Sequence, residues 1–125
     1  MPAIQEALNL GDLLKFEESH LYSRDQVTVL AGEVLPLGAV VGQVTPTGKV
    51  KALDPAATDG SAVACGVLIA PQDALFGDQA DGLMIARHAI VADHALTWPA
   101  GLTPLQKDTA LSQLKALGIL VRTGA

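Results

Sequence analysis

Ala39-Val-Val-Gly-Gln-Val-Thr-Pro-Thr-Gly-Lys-Val-Lys-Ala-Leu53 is the stretch that decides the fold. Two short apolar runs flank Thr45-Pro46-Thr47-Gly48, where Pro fixes φ near about −65° and Gly is free to take φ > 0. The spacing predicts a β-hairpin, with strands at 39–44 and 49–53 joined by a tight turn. The same stretch superficially resembles a phosphate-binding loop. Five residues rather than four separate Gly42 from Gly48, however, and Val50 stands where that loop needs a magnesium-binding hydroxyl.

Outward from the hairpin the texture repeats: short β-branched runs between turn residues, as in a small β-rich domain. Strands are predicted at 27–30, 62–69, 83–92 and 119–122. Asp59-Gly60 and Asp81-Gly82 mark strand entries, and 71–80 reads as a surface loop. One helix is predicted. Thr103 caps it, Pro104 suits its first position, and Gln106 completes a T-x-x-Q capping box. Ala110, Leu111, Leu114 and Leu117 form its apolar stripe, and Gly118 ends it as a left-handed cap. Lys107 falls at the start of that stripe, its stem lying along the apolar face and its ammonium reaching water.

Residues 1–26 differ from the rest. They hold Asp12, Lys15, Glu17, Glu18, Arg24 and Asp25 with little β-branched character, and Gly11 interrupts a weak helical period through Ile4 and Leu8. The expected organisation is an N-terminal arm over 1–26 and a β-rich domain over 27–125.

The chain has 125 residues, enough for one core, and half of them are apolar. Only 3% are aromatic: Phe16, Tyr22, Phe76 and Trp98. A core of small aliphatic side chains gains less per buried residue, which hints at support from partner subunits. Net charge is −5 with no Lys/Arg cluster, which argues against nucleic acid as a partner. No apolar run reaches the length of a membrane span, and the first residues do not read as a secretory leader, so a soluble protein made in the cytoplasm is expected.

Tests for chemistry return no catalytic constellation. Cys65 is the single cysteine and reads as a small core residue beside Val63 and Val67. His20, His88 and His94 lack the tight spacing of zinc ligands, although His88 and His94 would share a face if one strand ran through both. Ser19, Ser23, Ser61 and Ser112 lie outside any G-x-S-x-G elbow. Glu17 and Glu18 are adjacent, so they diverge rather than converge on a substrate, and read as a solvated face.

Several pieces occur in a telling order: Leu10-Gly-Asp-Leu-Leu-Lys-Phe-Glu, Tyr22-Ser-Arg, Gly32-Glu-Val-Leu-Pro-Leu-Gly-Ala-Val-Val-Gly, Thr45-Pro-Thr-Gly-Lys and Asp59-Gly. Ala64-Cys-Gly-Val-Leu, Ala86-Arg-His-Ala, Trp98-Pro and Leu114-Lys-Ala-Leu-Gly-Ile-Leu-Val-Arg follow. In that order, from about residue 10 to 122, the chain resembles the head decoration proteins of tailed bacteriophages. The resemblance implies a mainly β, β-clip-like α+β fold with one helix in the C-terminal half and an extended N-terminal arm.

It further implies a homotrimer on the outer capsid surface of the virion, bound to the major capsid protein at local three-fold positions of the expanded head. Such a protein stabilises the shell with no enzymatic activity, catalytic residue, metal or cofactor, and with neither nucleic acid nor membrane as partner. The arm departs from the Thr-, Pro-, Gly- and His-rich arms of lambda-type members, so its role carries over by position. On that basis Leu13, Leu14, Lys15, Phe16, Tyr22 and Arg24 are expected capsid contacts, with solvated charge the other reading of Lys15 and Arg24. Trp98 is expected either between helix and sheet or in the trimer interface. Two rival classes are a small trimeric β-clip enzyme, which needs an acidic metal cluster, and a carrier or adaptor module, which needs a modifiable lysine such as Lys49.

Overall fold

The hairpin at 39–53 is the seed of a closed barrel in the computed structural model, which describes residues 10–123 except the side chains of His20 and Leu21. Its strands are β4 (Val40–Gln43) and β5 (Val50–Ala52), paired antiparallel with Gly42 opposite Lys51. Gly48 turns between them at φ +72°. Beyond β4 lies β6 (Ala64–Leu68), then β8 (Gln79–Ile85), then β2 (Arg24–Val29), which closes the ring against β5 through one parallel pairing, Val29 to Val50.

Outside the barrel stands a three-stranded sheet of β1 (Leu14–Glu17), β9 (Ala89–Ala92) and β10 (Ile119–Arg122), with β9 in the centre. A two-residue ribbon, β3 (Val34–Leu35) with β7 (Gln72–Asp73), plugs the barrel by burying Leu35 and Ala74. Three helices complete the described residues: α1 (Leu10–Leu13), α2 (His20–Ser23) and α3 (Pro104–Ala116), with a 3-10 turn at Asp93–Ala95.

Two cores share the barrel wall. Adjacent residues on a strand point to opposite faces. Val41, Leu68 and Met84 therefore fill the barrel with Val29 and Val50, while their neighbours Val40, Val67 and Ile85 face outward. Outside they meet Leu13, Val91, Leu114 and Ile119. Strands buried on both faces need apolar residues at consecutive positions, hence runs such as Val40-Val41 and Val67-Leu68-Ile69.

The mainly β architecture with one long helix in the C-terminal half agrees with the sequence reading. Both halves of the capping box form: the Gln106 amide donates to Thr103 Oγ1 (3.2 Å), and the Thr103 amide donates to Gln106 Oε1 (3.0 Å). Ala110 and Leu114 carry the buried stripe. Gly118 follows at φ +82°, and a Cβ there would lie 2.4 Å from the His88 ring.

The segment expected as an arm divides. Residues 1–9 lie outside the described residues, whereas 10–26 are built into the domain. Leu14 pairs with Val91, Glu17 with Ala89, and Arg24 with Ile85. The boundary placed between 26 and 27 thus falls inside β2, because β8 supplies a partner for every residue from Arg24 to Val27. The strand expected over 83–92 is two strands. It breaks at Arg87-His88, where His88 sits at φ +50° and the chain leaves the barrel for the outer sheet. His88 and His94 consequently share no strand face, and His94 lies in the 3-10 turn.

Candidate interaction surface

β1 lies at an edge of the outer sheet, with β9 on one side and no further strand on the other among the described residues. Lys15 is exposed, its Nζ donating to the Gly11 carbonyl (3.0 Å), and Phe16 is 52% exposed. Leu14 is partly buried against the outer core. Leu13 is wholly buried there, so its side chain serves packing and has no surface to offer a partner.

At the far end of β1 the charges find partners within the chain. Glu17 accepts from Arg24 through both oxygens, at 3.1 Å from Nε and 2.5 Å from Nη2, and from the buried Ser23 hydroxyl at 2.6 Å. A paired fork of this kind is a strong, directional contact. It holds the α2 connection onto β1, so Glu17 is not a solvated carboxylate as the sequence reading expected.

Arg87 makes a second fork to Asp25, at 3.0 and 2.8 Å, and donates to the Tyr22 carbonyl. The first of these contacts holds Arg87 above the ordinary arginine range. Its guanidinium lies 5.6 Å from the centre of the Tyr22 ring, and His88 meets the same ring edge-on at 5.0 Å. Tyr22 is 47% exposed, so this end presents an aromatic face framed by paired charges.

The expected contacts therefore do not form one face. Leu13 and Leu14 lie near the Ala92 end of β9, Tyr22 and Arg24 near the Ala89 end, a strand length away. Both described chain ends, at Leu10 and Thr123, lie toward the Ala92 end, because β10 runs parallel to β9 and finishes opposite Ala92.

Trp98 is half-buried against the outer core, with Lys107 Nζ 5.7 Å above its ring. Lys107 stays exposed, as the sequence reading expected, with its ammonium over one face of the indole. Cys65 packs against the barrel core, while Val67 faces the outer core and Val63 is exposed; burial pushes the Cys65 thiol up to about 11. Among the described residues no three His, Cys, Asp or Glu side chains gather as a metal site, and no helix is long and apolar enough to cross a membrane.

Sequence reasoning passed over the most exposed large apolar residue among those described, Phe76 at 98%. It sits in the loop expected over 71–80, and the available signal was an aromatic residue between Leu75 and Gly77 in a polar stretch. Leu105, on the first turn of α3, is next at 76%.

The family model of the bacteriophage lambda head decoration protein D matches residues 3–119. Among curated proteins no significant match is found. The family match spans nearly the whole chain, from the segment before α1 to the first residue of β10, and so takes in the barrel, the ribbon, the outer sheet and the capped helix. The chain belongs to the bacteriophage lambda head decoration protein D family.

Proposed function

We propose that the protein binds the outer surface of an expanded tailed-phage head as a homotrimer at local three-fold positions, contacts the major capsid protein there, and stabilises the shell without catalysis. One observation carries this reading: the head decoration family match over residues 3–119. Physical chemistry makes it workable. A three-fold ring offers three copies of one contact to a three-fold surface, and joining weak contacts raises avidity by about 10² to 10⁴.

The attachment surface we favour starts at the outer edge of β1, where Lys15 and Phe16 are exposed. A capsid strand laid along that edge would gain backbone hydrogen bonds while Phe16 fills a pocket. Tyr22, at the far end of β1, is an accessible outlying contact. Arg24 acts there through its pair with Glu17, and Trp98, half-buried, meets a neighbouring copy through the part of its side chain that stays exposed.

The test is co-sedimentation of purified protein with expanded heads assembled without it, followed by heating. Saturable binding and a raised shell disruption temperature are expected. Protein left in the supernatant at every concentration would refute the reading.

A further inference from the structure

Phe76 is displayed on a turn that is anchored on both sides. Ala74, fully buried, donates its amide to the Glu33 carbonyl (2.8 Å) and accepts from the Gly32 amide (2.7 Å). The Leu75 amide donates to Asp73 Oδ1 (3.1 Å), and the Gly77 amide returns to the Ala74 carbonyl (3.2 Å). One residue on, the Asp78 carboxylate accepts from the Ala31 amide (2.8 Å) and pairs with Lys49 (2.5 Å). The backbone that carries Phe76 is thus held in place, so binding has to order little more than the two side-chain torsions of the ring. Leu75 (50% exposed) and Val34 (59%) flank it.

The same chain carries an apolar groove. A cavity of about 260 Å³ lies between the segment after β5 and α3, its wall formed by Leu53, Pro55, Ala62, Leu105 and Ala110 with the uncharged polar Gln106, Thr109 and Gln113. The groove is built firmly: Leu53 and Ala110 are core residues, and the Ala64 amide donates to Gln113 Oε1 (2.8 Å), fixing α3 against β6. The two most exposed large apolar side chains among the described residues thus stand one on a knob and one on a groove rim.

Knob and groove are connected through Glu33, which binds Ala74 by its carbonyl and the Ala52 amide, beside Leu53, by its carboxylate (2.7 Å).

We propose that Phe76 of one copy seats in the Leu105 groove of the next, a head-to-tail contact that closes the homotrimer; this rests on the trimeric reading above. A ring requires two different, complementary patches on each subunit, and this chain has both. A knob-to-knob dimer is disfavoured, because Asp73, bonded into the turn, would face its own copy, whereas the groove wall carries no charged residue. Phe76 would contribute about 150–250 Å² of the roughly 800 Å² that each partner gives to a standard interface. It is therefore an anchor within a larger contact.

The test is solution mass by light scattering for the wild type, Phe76→Ser and Leu105→Glu. Both side chains are exposed, so the variants keep the fold, checked by circular dichroism. A Phe76→Cys/Leu105→Cys pair in a Cys65→Ser background adds a covalent readout. A trimeric wild type is expected, with each variant weakening association by at least about tenfold, the loss of one anchor. The cysteine pair should give covalent dimers and trimers that neither single cysteine gives.

Trimers in both variants with no cross-link would overturn the knob-in-groove contact while leaving the trimer standing. Cross-linking by Phe76→Cys alone would overturn it in favour of a knob-to-knob contact. Variants that stay trimeric but no longer sediment with heads would overturn it and place the knob on the capsid. A wild type that is monomeric at every concentration would refute the trimeric reading as well.

Discussion

Leu13→Ala separates a folded N-terminal segment from a detachable one. Leu13 ends α1 and is wholly buried among Val91, Leu114 and Ile119 in the outer core. The substitution removes three carbons, worth about 2.4 kcal/mol at about 0.8 kcal/mol per buried CH₂. The cavity left behind raises the cost, so a total of about 2–5 kcal/mol is expected. With a urea dependence of about 2 kcal/mol/M, the unfolding midpoint should fall by about 1–2.5 M. The assay is urea denaturation followed by circular dichroism, at one fixed protein concentration because association adds to stability.

Phe16→Ala, three residues on, is the control: half-exposed and paired across to Ile90, it should cost about 0.2–1 kcal/mol. A Leu13→Ala cost below about 1 kcal/mol, with unchanged slope, would refute the reasoning. It would show that residues 10–17 leave the domain without disturbing its core.

Three further outcomes are expected. Gly38→Ala should lower stability by more than about 1 kcal/mol in the same denaturation assay, because its φ is +83° and the new Cβ would lie 2.2 Å from the Ala95 carbonyl oxygen. Cys65, held near 11 by burial, should be about one part in a thousand thiolate at pH 8; native protein should react slowly with a thiol reagent and urea-unfolded protein quickly, as timed by absorbance. Asp78 is held below the usual aspartate range first by its Lys49 contact, and Asp59 by the Ser61 hydroxyl. The unfolded chain therefore takes up those protons first, so stability is full above about pH 4, the ordinary aspartate value, and is lost as pH falls below it. Asp78→Asn and Asp59→Asn should each flatten that acid limb in pH-dependent melts.

What the sequence made legible was local. The hairpin at 39–53 and the capped helix at 104–116 declare themselves within a few residues, through Pro, Gly and a capping box. The fate of residues 10–26 was hidden because its partners are remote: Leu14 meets Val91 and Arg24 meets Ile85. Nothing in Leu-Lys-Phe-Glu identifies the strand it will pair with. The break at His88 was hidden too, since no Gly or Pro marks it and the space for its ring comes from Gly118, in the remote turn between α3 and β10. The β3–β7 ribbon is two residues wide and joins Val34 to Asp73, too short for an alternating pattern to register.

Of the candidate surface, exposed Phe16 and Tyr22 fell within the expected residues, while Leu13 belongs to the core and Phe76 was passed over. The sequence reading placed its contacts by position along the chain, and side-chain exposure depends on the pairing of remote strands.

Image reconstruction of expanded heads, with and without saturating protein, tests the central claim most directly. The account predicts added three-lobed density on the outer surface at local three-fold positions, absent from undecorated heads. Unchanged heads, or added density confined to the interior, would contradict it.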